Sequence, residues 1–347
     1  MNTFFIEFRD PLFSIIVFFA IIFIVAFFSY WWSRYKRQED SKYLDAFLRQ
    51  FQTLPSKDEL ATLISGGELS ESSWRLLADS YFRSGEYEKS IEIYNAILKV
   101  GSSNVKETMF LLGKTYFKAG FLERSKQIFL ELLKKNPRTP QALHYLLLIH
   151  EQMRDYQSAL EVLEPLDELG EDIKKVQTYL KSLMTLTNAE FSAQEKVEML
   201  LAIYEESHEL KYLIFEYIFR VNPSLAWENL DASQCELLTD IFWQLPAKSV
   251  NFDIISKNTY LRELYTARGD VSLTESSSIF EFDILIKLHG KANATLAFEY
   301  VCDKCKIAFP FVFHRCSSCH SLGSARVEFR LTRDYHKDFS EENNSFQ

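Results

Sequence analysis

Glycine and proline are scarce, 10 and 8 in 347 residues. That scarcity removes the punctuation that breaks helices. With many Leu, Glu, Lys and Ala it points to helical structure. Cysteine is scarcer, five in all, and four lie between Cys302 and Cys319 while Cys235 stands alone. A secreted disulfide scaffold carries a scattered even set instead. Basic residues are outnumbered, giving a formal net charge of −9. That argues against a nucleic-acid partner, which needs a basic surface to displace counterions. No phosphate-binding glycine loop, nucleophile elbow or dinucleotide fingerprint is present. His150-Glu151 and His208-Glu209 begin like H-E-x-x-H, but Arg154 and Tyr212 stand where the second histidine belongs. No catalytic residue emerges, and the chain reads as a non-enzyme.

One hydrophobic run is long. From Leu12 to Trp32 there are 21 residues without a charge. At ~1.5 Å per residue, such a helix crosses a hydrocarbon core of roughly 30 Å. Tyr30, Trp31 and Trp32 close it with the amphipathic rings expected at a headgroup layer. Arg34, Lys36 and Arg37 follow, against Glu7, Arg9 and Asp10 before it. The positive-inside bias then puts the body in the cytoplasm, on a single-pass anchor in the cytoplasmic membrane. A cleaved signal peptide fits poorly, because the run is too long and its basic residues lie on the wrong side.

The middle of the chain repeats with a period near 34. Trp74, Leu77, Ala78, Tyr81, Gly85, Ser90 and Tyr94 form one unit. Met109, Leu112, Gly113, Tyr116, Gly120, Ser125, Phe129 and Pro137 form the next. Leu143, Leu146, Leu147, His150, Ala159 and Leu163 form a third. This spacing is that of the tetratricopeptide repeat, a pair of antiparallel helices in which small residues sit at the close approach. Met184, Ala193 and Val197 suggest a degenerate fourth unit. Beyond Ala202 the period fades. Helices are still expected over Lys211 to Val221 and Cys235 to Leu245, with Ser224 capping a helix after Pro223. Residues 71–290 are expected to form an α-solenoid whose concave face binds protein partners. The stripe Tyr81, Tyr94, Tyr116 and Phe129 is repeat core.

The most specific motif is Cys302-x2-Cys305, ten residues, then Cys316-x2-Cys319. Two such knuckles offer four thiolates to one tetrahedral zinc ion at ~2.3 Å. All four positions are protein ligands, so the metal is expected to be structural; iron is the alternative for four cysteines. Disulfides within each knuckle would require an oxidising compartment. Thr295 to Val301 and the alternation of Val327, Phe329 and Leu331 with Arg326, Glu328 and Arg330 predict flanking strands. Lys304, Lys306 and Arg315 could offset the charge of the thiolates. His314 and His320 are expected to be packing or surface residues, and Cys235 a buried inert thiol.

The fold class is therefore all-α with a small β appendage: an N-terminal tail and transmembrane helix (1–33), a juxtamembrane helical linker (34–70), tetratricopeptide-like repeats (71–290), a four-cysteine ribbon (291–331) and an acidic tail (332–347). This order of parts resembles the lipopolysaccharide assembly protein B family. The likeness is closest at Leu112-Gly113-Lys114-Thr115-Tyr116-Phe117-Lys118-Ala119-Gly120, at Tyr300-Val301-Cys302-Asp303-Lys304-Cys305 and at Phe313-His314-Arg315-Cys316-Ser317-Ser318-Cys319. That family usually has Gly after the first knuckle and Pro inside the second, where this chain has Lys306 and Ser317. The resemblance implies a non-catalytic regulator of lipid A synthesis at the inner membrane. Such a protein delivers the pathway's deacetylase to a membrane AAA+ protease, with Cys302, Cys305, Cys316 and Cys319 as zinc ligands and the ribbon packed against the repeats. A general scaffold for an envelope or secretion complex and an iron electron carrier are the competing readings.

Overall fold

The computed structural model describes residues 23–25, 27, 28, 57–66, 69–289, 291 and 293–333. Of the expected membrane segment, Phe23, Ile24, Val25, Phe27 and Phe28 are helical and exposed. The rest of that segment, most of the 34–70 linker and the acidic tail from residue 334 lie outside the described residues. Among the described residues, no helix is long and apolar enough to cross a membrane. The chain divides into two compact units, Met1–Asp155 and Tyr156–Gln347.

The first unit runs α1 (Lys57–Ser65), α2 (Glu71–Arg83), α3 (Tyr87–Val100), α4 (Val105–Lys118), α5 (Leu122–Lys135) and α6 (Pro140–Gln152). Helix starts follow local chemistry. The Ser70 hydroxyl accepts from the Ser73 N–H, and the Asn104 side chain accepts from the Glu107 N–H. The small positions expected in this unit are buried: Ala78, Ser90, Gly113 and Ser125. α4 and α5 approach closely at Gly113. The Ser125 hydroxyl donates to the Gly113 carbonyl at 2.8 Å, and a Cβ placed on Gly113 would meet the Phe129 ring at 2.8 Å. Phe129 is itself fully buried and stacks on Tyr145 with ring centroids 5.2 Å apart.

The turns inside the repeats share one backbone device. The Glu86, Phe121 and Asp155 N–H groups each reach back five residues, to the carbonyls of Tyr81, Tyr116 and His150, all at 2.9 Å. Such a closure needs a left-handed residue just after the helix. Gly85 (φ 83°) and Gly120 (φ 82°) supply it in the first two repeats, and Arg154 (φ 59°) in the third. Arg154 is exposed, so nothing but backbone strain separates it from glycine. Arg154→Gly is expected to stabilise the protein by about 1 kcal/mol, the left-handed cost for a side chain less glycine's extra entropy when unfolded. A rise in the urea midpoint without a change in slope would be the signature.

The second unit opens with α7 (Tyr156–Glu161) and α8 (Leu163–Glu168). The repeat pattern would make these one helix. Pro165 cannot donate to the Glu161 carbonyl, and the helix breaks at Val162. α9 (Lys174–Thr187) and α10 (Ala193–Glu206) follow, the latter opened by a capping box between Ser192 and Glu195. Val197 is buried as the fourth unit requires, but Ala193 lies exposed in the first turn, so the close approach of the earlier repeats is not reproduced there. α11 (Lys211–Val221) matches its expected bounds. α12 (Pro223–Asn229) is capped by Asn222, whose side chain accepts from the Leu225 N–H. Ser224 is not the cap, because Pro223 has the φ of a first helical residue and the cap must precede it. The segment expected as one helix over 235–245 is a 3-10 stretch, Ala232–Leu238, followed by α13 (Thr239–Gln244). α14 (Phe252–Lys257), α15 (Thr259–Arg268) and α16 (Phe280–Leu288) complete the helical part.

Strands β1 (Ala294–Cys302), β2 (Ala308–Phe309) and β3 (Ala325–Arg333) form an antiparallel sheet in the order β2-β1-β3. Cross-strand pairs Leu296–Leu331, Phe298–Phe329 and Tyr300–Val327 share one face. The opposite face carries Glu299, Glu328 and Arg330, with Arg330 and Glu299 paired at 2.7 Å. The apolar face is part of the core of this unit. Leu296, with Ala294, Phe298, Phe329 and Leu331 around it, joins one cluster with Ile214, Phe215, Phe242, Leu264, Tyr265 and Phe282. The rings of Phe282 and Phe329 stack at 5.2 Å.

Candidate metal centre

The two knuckles have the same backbone. In the first, the Lys306 N–H donates to the Cys302 carbonyl at 2.8 Å and the Cys302 N–H to the Ile307 carbonyl at 3.0 Å. In the second, His320 donates to Cys316 at 2.9 Å and Cys316 to Ser321 at 3.0 Å. Both turns close through a left-handed residue directly after the second cysteine, Lys306 at φ 62° and His320 at φ 61°. This is the position where the resembled family carries glycine at the first knuckle.

The four sulfurs all lie within 4.8 Å of one another, and the described residues hold no other candidate metal cluster of His, Cys, Asp and Glu. Across the knuckles, Cys302 lies 3.6 Å from Cys319 and Cys305 lies 3.7 Å from Cys316. Tetrahedral thiolates at ~2.3 Å from zinc stand about 3.8 Å apart, close to these two distances, so the donor set is one that could hold a zinc-sized ion. Cys302 and Cys316 are buried and Cys319 is exposed.

The surroundings favour thiolate unevenly. Burial resists ionisation of Cys302, but the Cys305 N–H, the Ser324 and Ser321 hydroxyls and the Lys304 N–H outweigh it and hold the thiol well below the usual range. The Ser321 hydroxyl, 3.1 Å away, leads in lowering Cys319. Burial pushes Cys316 up. Ser321 and Ser324 are bonded to each other at 2.6 Å. Neither was visible as a functional residue in the sequence, where serine at this spacing carries no signal. The expected counter-charges play other parts. Lys304 is exposed, Lys306 pairs with Asp303 at 3.6 Å, and Arg315 donates to the His320 carbonyl and lies over the Tyr179 ring. Ser321→Ala is expected to weaken metal binding about tenfold, the usual scale for outer-shell donors. A competition titration with a chromophoric chelator would measure it. Protons should also displace the metal at higher pH in the variant, since losing the hydroxyl raises the thiol pKa values.

Three polar groups tie the centre to the helices. Asp240 on α13 is buried and its Oδ2 accepts from the Tyr212 hydroxyl at 2.5 Å and the Tyr300 hydroxyl at 2.7 Å. Tyr300 sits on β1 two residues before Cys302. Burial pushes the Asp240 carboxyl up, and the two phenols pull against it. Tyr300→Phe is expected to destabilise this unit by about 2 kcal/mol, the scale for a lost hydrogen bond to a charge. The sign of its pH dependence follows from linkage. Losing a donor raises the folded-state pKa further, so the penalty is full where the carboxylate is charged and shrinks as pH falls toward that pKa. Chemical melts at two pH values, one well above that pKa and one approaching it, should show the larger loss at the higher value.

His314, expected as a packing residue, lies 3.3 Å from the Glu216 carboxylate on α11. His150 reaches Asp155 at 3.1 Å, and His208 packs on the Tyr204 ring at 4.5 Å, so neither aborted H-E-x-x-H joins a cluster. Cys235 is buried, and burial pushes its thiol up to about 11, consistent with an inert core position.

Family models described as tetratricopeptide repeat match residues 72–100 and 110–169. The chain therefore carries tetratricopeptide repeats, the architecture of a protein–protein interaction scaffold, followed by a small sheet with a four-cysteine cluster that could bind a metal ion. Solved structures similar to it include MamA from Desulfovibrio magneticus RS-1, residue 41 to the end, which is 18% identical with a TM-score of 0.35 over 51% of this chain and 93% of that one. A MamA RS-1 double mutant matches at 18% identity and 0.35 over 51% and 92%. A tetratricopeptide repeat protein from Parabacteroides merdae matches at 14% and 0.39 over 73% and 98%. No curated protein matches the chain.

Proposed function

We propose that this protein is a non-catalytic adaptor, tethered to the inner membrane through Leu12 to Trp32 with its body in the cytoplasm. Its repeats bind a client, and a structural zinc ion held by Cys302, Cys305, Cys316 and Cys319 fixes the form of the second unit. The client that the family resemblance implies is the deacetylase of lipid A synthesis, presented to a membrane AAA+ protease. The observation that carries the adaptor reading is the shared core. The sheet, whose strand β1 ends on the knuckle residue Cys302, and the helices from α10 to α16 bury their apolar faces together. Metal binding and the shape of the neighbouring helical surface are then one property. Repeats supply an interaction surface, and the metal holds the helices of the second unit in one conformation.

Affinity purification from membranes in mild detergent tests this, comparing the intact chain with Cys302→Ser. The expected partners of the intact chain are a membrane protease and the deacetylase, with deacetylase levels rising on depletion. Recovery of envelope-assembly components without a protease would transfer the reading to a general scaffold. Metal analysis separates a colourless zinc centre from iron, which absorbs in the visible.

A further inference from the structure

The loop between the knuckles reads Lys306-Ile307-Ala308-Phe309-Pro310-Phe311-Val312-Phe313. Seven consecutive apolar residues there do not enter the core cluster of the second unit. Phe311 is 80% exposed and Ile307 43% exposed. Phe309 and Phe313 meet edge to face at 4.9 Å. A soluble surface rarely leaves such a cluster in water.

Its charge is equally unusual for this chain. From Lys304 to Val327 the sequence has Lys304, Lys306, Arg315 and Arg326 and no aspartate or glutamate, although the whole chain carries −9. Asp303 and Glu328 border the stretch, paired with Lys306 and Arg326. The apolar tip with the exposed Lys304 and Lys306 beside it matches an anionic bilayer, with aromatic rings entering the headgroup layer and these two ammonium groups meeting lipid phosphate, the surface pair of Lys306 with Asp303 being weak enough to exchange. Pro310 at the tip has no N–H to desolvate. An acidic protein partner would satisfy the lysines but not the contiguous apolar tip.

We propose that the loop Ile307 to Phe313 inserts into the interface of an anionic membrane and docks the ribbon there. This rests in part on the tethered reading above, because a tether keeps the loop at high effective concentration near lipid. Occupation of the thiolates by metal would hold both ends of the loop in the geometry that presents Phe311.

The full chain is reconstituted into vesicles of phosphatidylcholine alone or with about a third phosphatidylglycerol, a charge density that attracts basic surfaces. Flotation and hydrogen exchange are read together. Exchange of the Phe311, Val312 and Phe313 amides should slow about tenfold in the anionic vesicles relative to the neutral ones. Ile307→Ser with Phe311→Ser should abolish the difference while metal content stays unchanged, showing that the ribbon still folds. Flotation with both vesicles while the loop exchanges equally in each overturns the proposal and leaves the tether standing. Flotation only with anionic vesicles, loop protected, supports the proposal and removes the tether. Flotation with neither overturns both. Protection that appears only when a membrane protein is added also overturns it, in favour of a protein partner.

Discussion

Replacing Cys302 with serine is expected to loosen the helices of the second unit as well as the ribbon. Cys302 is fully buried at the end of β1, and the rest of that strand lines the core shared with α11, α13, α15 and α16. In zinc-finger peptides metal binding is worth about 10–16 kcal/mol of folding free energy. A sheet of three strands, one only two residues long, cannot replace that with its own contacts. Loss of one thiolate should therefore release the metal, free β1 and β3, and expose Phe282 and Leu285. We expect bound metal to fall from one per chain to none. The melting temperature of this unit should drop by about 10 °C or more, at ~2–4 °C per kcal/mol for a domain of this size. Hydrogen exchange should accelerate in α16 and α13 and not only in residues 294–333. An unchanged melting curve, or acceleration confined to the sheet, would show that the helices hold their core without the metal. Chelation of the intact chain should reproduce the variant's profile.

Phe129→Ala is expected to cost the first unit about 3–5 kcal/mol, the range for removing a fully buried aromatic. Phe129 touches the backbone of α4 at Gly113, stacks on Tyr145 and meets Phe110 at 5.9 Å. The sharper result lies in a double-mutant cycle with Gly113→Ala. Alone, Gly113→Ala forces a methyl group to 2.8 Å from the ring and should destabilise by about 1–3 kcal/mol through overpacking. With Phe129 truncated, the same methyl group enters vacated space and the penalty should vanish or reverse. A coupling energy of about 1–3 kcal/mol is expected from chemical denaturation, within the range for residues in direct contact. Additive effects would mean that α4 and α5 do not approach at this pair.

That pair also shows how far sequence reading reaches in such a protein. Gly113 and Phe129 were identifiable because the same size pattern recurs in neighbouring repeats, and recurrence turns a local choice into a periodic signal. Cys302, Cys305, Cys316 and Cys319 were legible for a different reason. A tetrahedral ion would constrain chain spacing so tightly that a four-cysteine cluster able to hold one stands out within a few residues. Among the turns inside the repeats, glycine marks the left-handed residue at Gly85 and Gly120. Arg154, Lys306 and His320 adopt the same backbone without that marker, held by the hydrogen bonds that close each turn.

From the amino-acid order alone came the helix pairs, the four-cysteine cluster and the two long strands, because each depends on neighbours within about one repeat or one turn of chain. What tertiary structure decided is how the ribbon is held. Asp240 meets Tyr300 sixty residues away, Phe282 stacks on Phe329, and Ser321 and Ser324 converge on Cys302. Aspartate, serine and phenylalanine have many ordinary uses, and no periodicity links these positions. Their pairing exists only because the sheet's apolar face must leave water, and the surface that receives it is assembled from helices that no local pattern brings together.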